Sequence, residues 1–239
     1  MLTLNASPIS SPRFSRFIRI SGIILCLSGA ILTPAHSQPL DKASTQALVE
    51  KISAKRKSHP FLQADYREEK SGGLLARPSV TSGKMWYAAP NKFRKESRGV
   101  GKESVIVSNG ELLWMYYPGF QEAERYDLKK QKFISQGIAT FTTGLDFEQV
   151  DRDFTVSGDE TTGGYTIRLA PKRANVSRML TQLTVYFDKA LELKTVETFS
   201  PRGEKIKTDL SNLKTEPVSE TTFDFSPPAG VNVTSPLGK

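Results

Sequence analysis

Val105-Ile106-Val107-Ser108-Asn109-Gly110-Glu111-Leu112-Leu113-Trp114-Met115-Tyr116-Tyr117 is the stretch that decides the fold. Two runs of β-branched, aromatic and aliphatic residues flank Asn109-Gly110, the strongest short-range signal for a β-hairpin. The second run, Leu112 to Tyr117, is apolar at every position and so on both faces of its strand. Both faces then need cover: the core on one side, and a helix, a partner or a ligand on the other. A central strand lying under an N-terminal helix is the simpler of these arrangements.

The same period of two continues in both directions. Tyr165, Ile167 and Leu169 alternate with Thr166 and Arg168, and Leu183, Val185 and Phe187 alternate with Thr184 and Tyr186. Turn signals recur at Gly158 to Gly164, Asp188-Lys189 and Pro201-Arg202-Gly203. Ten or so short strands, with no helix between successive ones, imply one large antiparallel sheet, strongly curved or closed into a barrel. Connections this short exclude a parallel α/β fold.

Two segments break the pattern. From Pro39 to Ser58 the residues are helix formers, with Leu48, Val49 and Ile52 on one side and Lys51, Lys55, Arg56 and Lys57 facing water; Pro60 closes the segment. Between Lys132 and Asp146, Ile134, Ile138, Phe141 and Leu145 recur at helical spacing in a stretch weakened by Gly137, Thr140, Thr142 and Thr143. Tertiary contact must hold so poor a helix, either as a plug at one end of the core or as a movable cover over a cavity.

Arg13, Arg16 and Arg19 precede an apolar run from Ile20 to Leu32 that ends in Ala35-His36-Ser37, the layout of a secretory signal peptide. The run falls short of the ~20 residues needed to cross a bilayer. Cleavage after Ser37 gives a mature domain of residues 38–239 and removes three arginines, lowering the formal charge from +8 to +5. The single cysteine, Cys26, lies in the leader, so the exported chain has no disulfide and depends on its packed core. Cleavage at Cys26 to give a lipoprotein is disfavoured by the bulky Leu25 before it.

Few residues invite chemistry. His59 is the one histidine left after cleavage, and without a cysteine it supplies neither a nucleophile–base pair nor a metal cluster. Glu68 and Glu69 are strand neighbours that point to opposite faces; Asp151 and Asp153 share a face but read as solvated charge. Gly99-Val100-Gly101-Lys102 lacks the rest of any phosphate-binding fingerprint and reads as a turn. The basic clusters Lys51 to Lys57, Lys129-Lys130-Lys132 and Lys172-Arg173 read as solvated faces; in an exported protein they suit anionic lipid or an acidic partner better than nucleic acid. Asn175-Val176-Ser177 and Asn232-Val233-Thr234 match the glycosylation sequon, without meaning in a bacterium. An exported, non-enzymatic β protein with a hydrophobic interior is what pattern alone supports.

Three blocks resemble the LolA family of lipoprotein carriers: Gly83 to Arg94, containing Trp86-x-x-x-Pro90-Asn91-x-Phe93; Val105 to Tyr116, containing Ser108-Asn109-Gly110-x-x-x-Trp114-x-Tyr116; and Phe223-Asp224-Phe225-Ser226-Pro227-Pro228-Ala229-Gly230-Val231. The resemblance implies a half-open antiparallel β-barrel of about eleven strands, covered by an N-terminal helix and a short internal helix. It also implies a monomeric periplasmic carrier, without cofactor, metal or catalytic residues, that shields the acyl chains of lipoproteins. Its partners would be an inner-membrane release complex and an outer-membrane acceptor. In the family the helices act as a lid; here they would be Leu40 to Lys57 and Phe133 to Leu145. The chain departs from the family at Ala89, where an arginine that bonds the lid is expected, and at Lys95, where an aromatic is common.

The lipid-binding groove is then expected to be lined by Met85, Phe93, Val105, Val107, Leu113 and Met115, with Ile138 and Phe141 from the cover. Trp114 and Tyr116 would face outward, and a one-residue slip would exchange the two faces. The same fold serves periplasmic regulators that sense lipids or lipoproteins, and a carrier of a glycolipid or polyene would present the same sequence signals. An enzyme that shapes a substrate in the groove is disfavoured by the lack of convergent titratable groups.

Overall fold

The computed structural model describes residues 37–99, 103–130, 150 and 152–236. The expected leader with Cys26, residues 100–102, the expected cover segment with Ile138 and Phe141, Asp151 and residues 237–239 lie outside the described residues. Helix α1 is Lys42–Ser58. It starts later than the sequence predicts because Gln38–Pro39 is taken up as strand β1 and Asp41 caps the helix, its Oδ1 accepting from Ser44 N at 2.7 Å. Lys55, Arg56 and Lys57 occupy the last turn, where cations oppose the helix dipole.

The remaining strands follow in chain order. They are β2 (Phe61–Gly72), β3 (Ser79–Ala88), β4 (Lys92–Arg98), β5 (Ser104–Ser108), β6 (Leu112–Tyr117) and β7 (Glu122–Asp127). After residue 150 come β8 (Phe154–Thr161), β9 (Gly164–Pro171), the short helix α2 (Ala174–Ser177), β10 (Gln182–Asp188), β11 (Leu193–Phe199), β12 (Glu204–Lys214) and β13 (Asn232–Thr234). All thirteen belong to one sheet, in the order β1-β8-β9-β10-β11-β12-β2-β3-β4-β5-β6-β7-β13. Every pairing is antiparallel except β13 on β7, and β1 and β13 do not meet, so the sheet is open. The eleven expected strands are supplemented by two short edge strands, β1 and β13. Gly158, expected in a turn, sits inside β8, where a Cβ would come within 3.1 Å of Thr45 Oγ1 on α1.

Register assigns the faces. Ile167, Val185, Val196 and Thr208 lie in one cross-strand row, and the same face continues through Glu68 on β2 and Thr81 on β3. Leu48 and Ile52 of α1 pack on this inner face with Ile167, Leu169, Leu183, Val185 and Phe187. A second apolar cluster, Leu62, Tyr87, Phe93, Leu113 and Leu128, occupies the inner face of the other half of the sheet.

The outer face of β4 to β7 has its own cover. Val107 is 1% exposed and Phe223 2%. The Phe225 ring lies 5.8 Å from Trp114 and 5.7 Å from Tyr116. Arg94 Nη1 donates to Thr222 O at 3.2 Å, and Lys92 pairs with Glu220. The doubly apolar strand β6 is thus covered outside by the C-terminal strap, not by the N-terminal helix.

Gly83 fixes how β3 and β4 approach. A Cβ there would lie 1.8 Å from Glu96 O and 3.2 Å from the Tyr66 ring. Gly83→Ala must therefore displace a strand backbone, and is expected to cost about 3 kcal/mol. In a thermal melt that is a drop of roughly 6–12 °C; an unchanged midpoint would show that β4 adjusts freely.

Candidate functional site

The inner face from β2 to β7 is apolar at one end of its strands and polar at the other. Along β2 the inward positions run Leu62, Ala64, Tyr66, Glu68, Lys70; along β3 they run Tyr87, Met85, Gly83, Thr81, Ser79. Across the apolar end, Leu62, Tyr87, Phe93 and Leu113 are buried, while Ile106, Met115, Tyr126 and Leu213 pack against them and stay half-buried.

Met85, Phe93, Leu113 and Met115 stand together on this inner face. Val105 and Val107 do not: β4–β5 pairing puts Lys95 opposite Ile106 and Arg94 opposite Val107, so both valines point to the outer side. The expectation of Val105 and Val107 in the groove is corrected. Ile106 takes their place on the inner face, beside Met115 on β6. In an all-aliphatic run such as Val105-Ile106-Val107 the face is set by cross-strand pairing alone, and only Lys95 opposite Ile106 could have signalled it. Trp114 and Tyr116 face outward, against Phe225.

A polar cluster interrupts the groove. Lys95 Nζ lies 2.5 Å from Glu68 Oε2, with the two side chains 19% and 22% exposed. The same ammonium sits 4.5 Å from the Tyr66 ring centroid. Thr208 Oγ1 donates to Glu68 Oε2 at 3.3 Å, and the Tyr66 hydroxyl is 2.6 Å from Ser97 Oγ. Burial pushes the Tyr66 hydroxyl up to about 12, opposed by the Ser97 bond and reinforced by the Glu68 charge. The groove thus holds a fixed charge pair and a neutral phenol beside its apolar floor.

At the apolar end, a cleft of about 190 Å³ joins the two clusters under the last turn of α1, lined by Arg56, His59, Leu62, Phe187, Leu193 and Leu213 among others. Arg56 does not simply face water: its guanidinium stacks 5.6 Å from the Tyr87 ring, and burial holds its pKa below the ordinary value. Lys55 Nζ donates to Ala190 O at 2.6 Å. His59 is the C-cap of α1; its N–H donates to Arg56 O, and its Nδ1 lies 3.0 Å from Lys55 O. Glu68 and Glu69 sit on opposite faces, Glu69 pairing with Arg67, and Asp153 pairs with Arg173 at 2.8 Å.

The first two motif blocks interlock at the apolar end. Ser108 Oγ donates to Asn91 O at 3.1 Å, Gly110 N donates to Ser108 Oγ at 3.2 Å, and Asn91 Nδ2 reaches Gly110 O at 3.4 Å. Asn109 Oδ1 accepts from the amides of Glu111 and Leu112, closing the hairpin turn. The Tyr87 hydroxyl donates to Pro90 O at 3.2 Å. Ala89 is exposed, and its N–H donates to Pro60 O at 2.8 Å. These motif residues pin turns of the sheet, so they report the fold.

The described elements make an open, almost wholly antiparallel sheet with one helix packed on its apolar inner face. The family model described as outer membrane lipoprotein carrier protein LolA matches residues 58–226. The chain belongs to the LolA family. An outer-membrane lipoprotein carrier protein of Pasteurella multocida is 25% identical over 172 residues, covering 72% of this chain and 79% of the relative. One of Coxiella burnetii is 26% identical over 152 residues, covering 63% and 69%. Among solved structures, a LolA superfamily protein from Nitrosomonas europaea aligns with a TM-score of 0.43 and 11% identity, over 76% of this chain and 97% of the other.

Proposed function

We propose that this chain is a periplasmic carrier that holds the acyl chains of a lipoprotein, or of another lipidated cargo, against the inner face of its sheet and carries them from the inner to the outer membrane. It acts by binding, without turnover, as a single domain from residue 38 onward that is exported by a cleavable leader. The observation that supports this most is the set of half-buried apolar side chains Ile106, Met115, Tyr126 and Leu213, packed against the buried cluster of Leu62, Phe93 and Leu113.

The physical need is plain. Each CH2 in water costs about 0.8 kcal/mol, so a ~16-carbon chain needs about 13 kcal/mol of enclosure before it leaves a membrane. A cleft of about 190 Å³ is smaller than the roughly 300–1,000 Å³ of ordinary ligand sites. Movement of α1 off its half of the inner face would add the room such a chain needs, and Leu48 and Ile52 reseal that half when the carrier is empty. Native mass spectrometry with lipid extraction, on protein purified from the periplasm of its host, tests the reading. One-to-one lipoprotein or acyl lipid supports it; a clean apo mass, in the presence of membranes too, refutes it.

Lys95 adds selectivity. A cationic donor on the groove wall favours cargo with an anionic group near its acyl chain, since a hydrogen bond to a charged partner contributes about 1.5–3 kcal/mol. Lys95→Met is expected to weaken binding of a fluorescent fatty acid about tenfold relative to a neutral alkyl probe, equivalent to ~1.4 kcal/mol. Equal loss for both probes would mean that Lys95 only shapes the wall.

A further inference from the structure

The turns of the sheet fall into two sets at opposite ends of its strands. One end carries the turns after β3, β5, β8 and β10; the other carries those after β2, β4, β6, β9 and β11. The exposed large apolar side chains of the described residues are Leu74, Leu75, Val80, Phe120, Met179 and Val233, and all six lie at the second end. Leu74 is 98% exposed and Phe120 74%. Leu74 and Leu75 form the tip between β2 and β3, Phe120 the turn between β6 and β7, and Met179 the connection between β9 and β10. Val80 and Val233 are the second residues of their strands.

These side chains stand on structured turns. Leu75 N donates to Gly72 O at 3.2 Å, and Gly73 N donates to Gly203 O at 3.1 Å, which sets the turn carrying Arg202 against the Leu74 tip. Gln121 N donates to Pro118 O and Asn232 N to Gln121 O, fixing Phe120 between β7 and β13. The charge at this end is positive: exposed Arg77, Arg98, Arg178 and Arg202 form no ion pair among the described residues, against exposed Glu103 and Glu122. Lys70, Glu204, Asp153 and Arg173 at the same end are paired with one another in two bridges.

We propose that this end of the sheet is a membrane-docking rim, which seats Leu74, Leu75 and Phe120 in the interfacial layer of a bilayer with anionic lipids. The occupant follows from the pattern. Apolar side chains on three separate turns, four strands or about 20 Å from one turn to the next, form no continuous patch of the size a stable protein interface needs. A fluid bilayer accepts such separate anchors, and isolated arginines beside them match anionic headgroups. The proposal concerns where the protein sits, and holds whatever cargo the groove takes.

The test is cosedimentation of the chain, expressed with its own leader and purified after export, with vesicles of phosphatidylglycerol and phosphatidylethanolamine or of phosphatidylcholine alone. The wild type is expected to bind the anionic vesicles. Leu74→Ser/Leu75→Ser/Phe120→Ser, whose changes are all on exposed turns, should lower that binding at least tenfold with an unchanged melt. Arg77→Glu/Arg202→Glu should remove the preference for anionic vesicles. Phe120→Trp should shift its emission to the blue when anionic vesicles are added. Absence of wild-type binding, undiminished binding by the triple serine variant, or a tryptophan emission that does not move would each overturn the proposal.

Discussion

A Val107→Asp variant is expected not to fold, while Ile106→Asp, one residue away, folds and loses its cargo. Val107 is 1% exposed on the outer face, opposite Arg94 on β4 and Trp114 on β6 and on the side covered by the Phe225 strap. A carboxylate there is cut off from water at an effective penalty of several kcal/mol, and the Arg94 guanidinium opposite it is already held by Glu96 Oε1 and Thr222 O. That removes much of the roughly 5–15 kcal/mol by which a domain of this size is stable. Ile106 is half-buried on the inner face, directly across from Lys95. The ammonium gives a new carboxylate a partner, so the fold should lose only about 1–2 kcal/mol. The groove floor, however, gains a charge where an alkyl chain must lie, and affinity for an acyl probe should fall by more than tenfold. Thermal melts with probe titration separate the two effects. If Val107→Asp melts like wild type, or Ile106→Asp binds the probe normally, the assignment of faces is wrong.

That pair also shows what the sequence discloses. Alternation with polar residues marks Ile167, Leu169, Leu183 and Val185 as one face, and Asn109-Gly110 marks a turn, because both signals are local. Val105-Ile106-Val107 carries no alternation, so its face is decided by which residue of β4 it pairs with, a non-local fact. The cover over Trp114 and Tyr116 was equally hidden. It comes from Phe223 and Phe225, more than a hundred residues further along, and their Phe-x-Phe spacing says only that two aromatics share a face. Gly158 misleads for a physical reason: a glycine in a strand marks close approach as readily as a turn, and here α1 needs the space. The polar cluster was half legible, since Lys95 stands out in an apolar block, but its partner Glu68 is 27 positions away.

Locking α1 to the sheet should abolish cargo uptake. The Cβ position of Gly158 lies 3.1 Å from Thr45 Oγ1 and 3.3 Å from Thr45 Cγ2, a separation that suits a disulfide between Thr45→Cys and Gly158→Cys. Cys26 is the one native cysteine, and replacing it by serine in the same chain leaves no other thiol to compete. Freeing the inner face exposes Leu48 and Ile52, at about 1.5–3 kcal/mol each, so roughly 3–6 kcal/mol opposes opening. An acyl chain of ~16 carbons returns about 13 kcal/mol when enclosed, enough to drive the exchange and still leave a surplus small enough for release. In the oxidised double variant the first step is forbidden, because the start of α1 cannot leave β8. Acyl-probe uptake should therefore be lost under oxidising conditions and return to the wild-type level with dithiothreitol, while the melting point of the oxidised form rises. Full uptake by the oxidised form would place the whole cargo on the inner face of β2 to β7, with α1 a fixed part of the core.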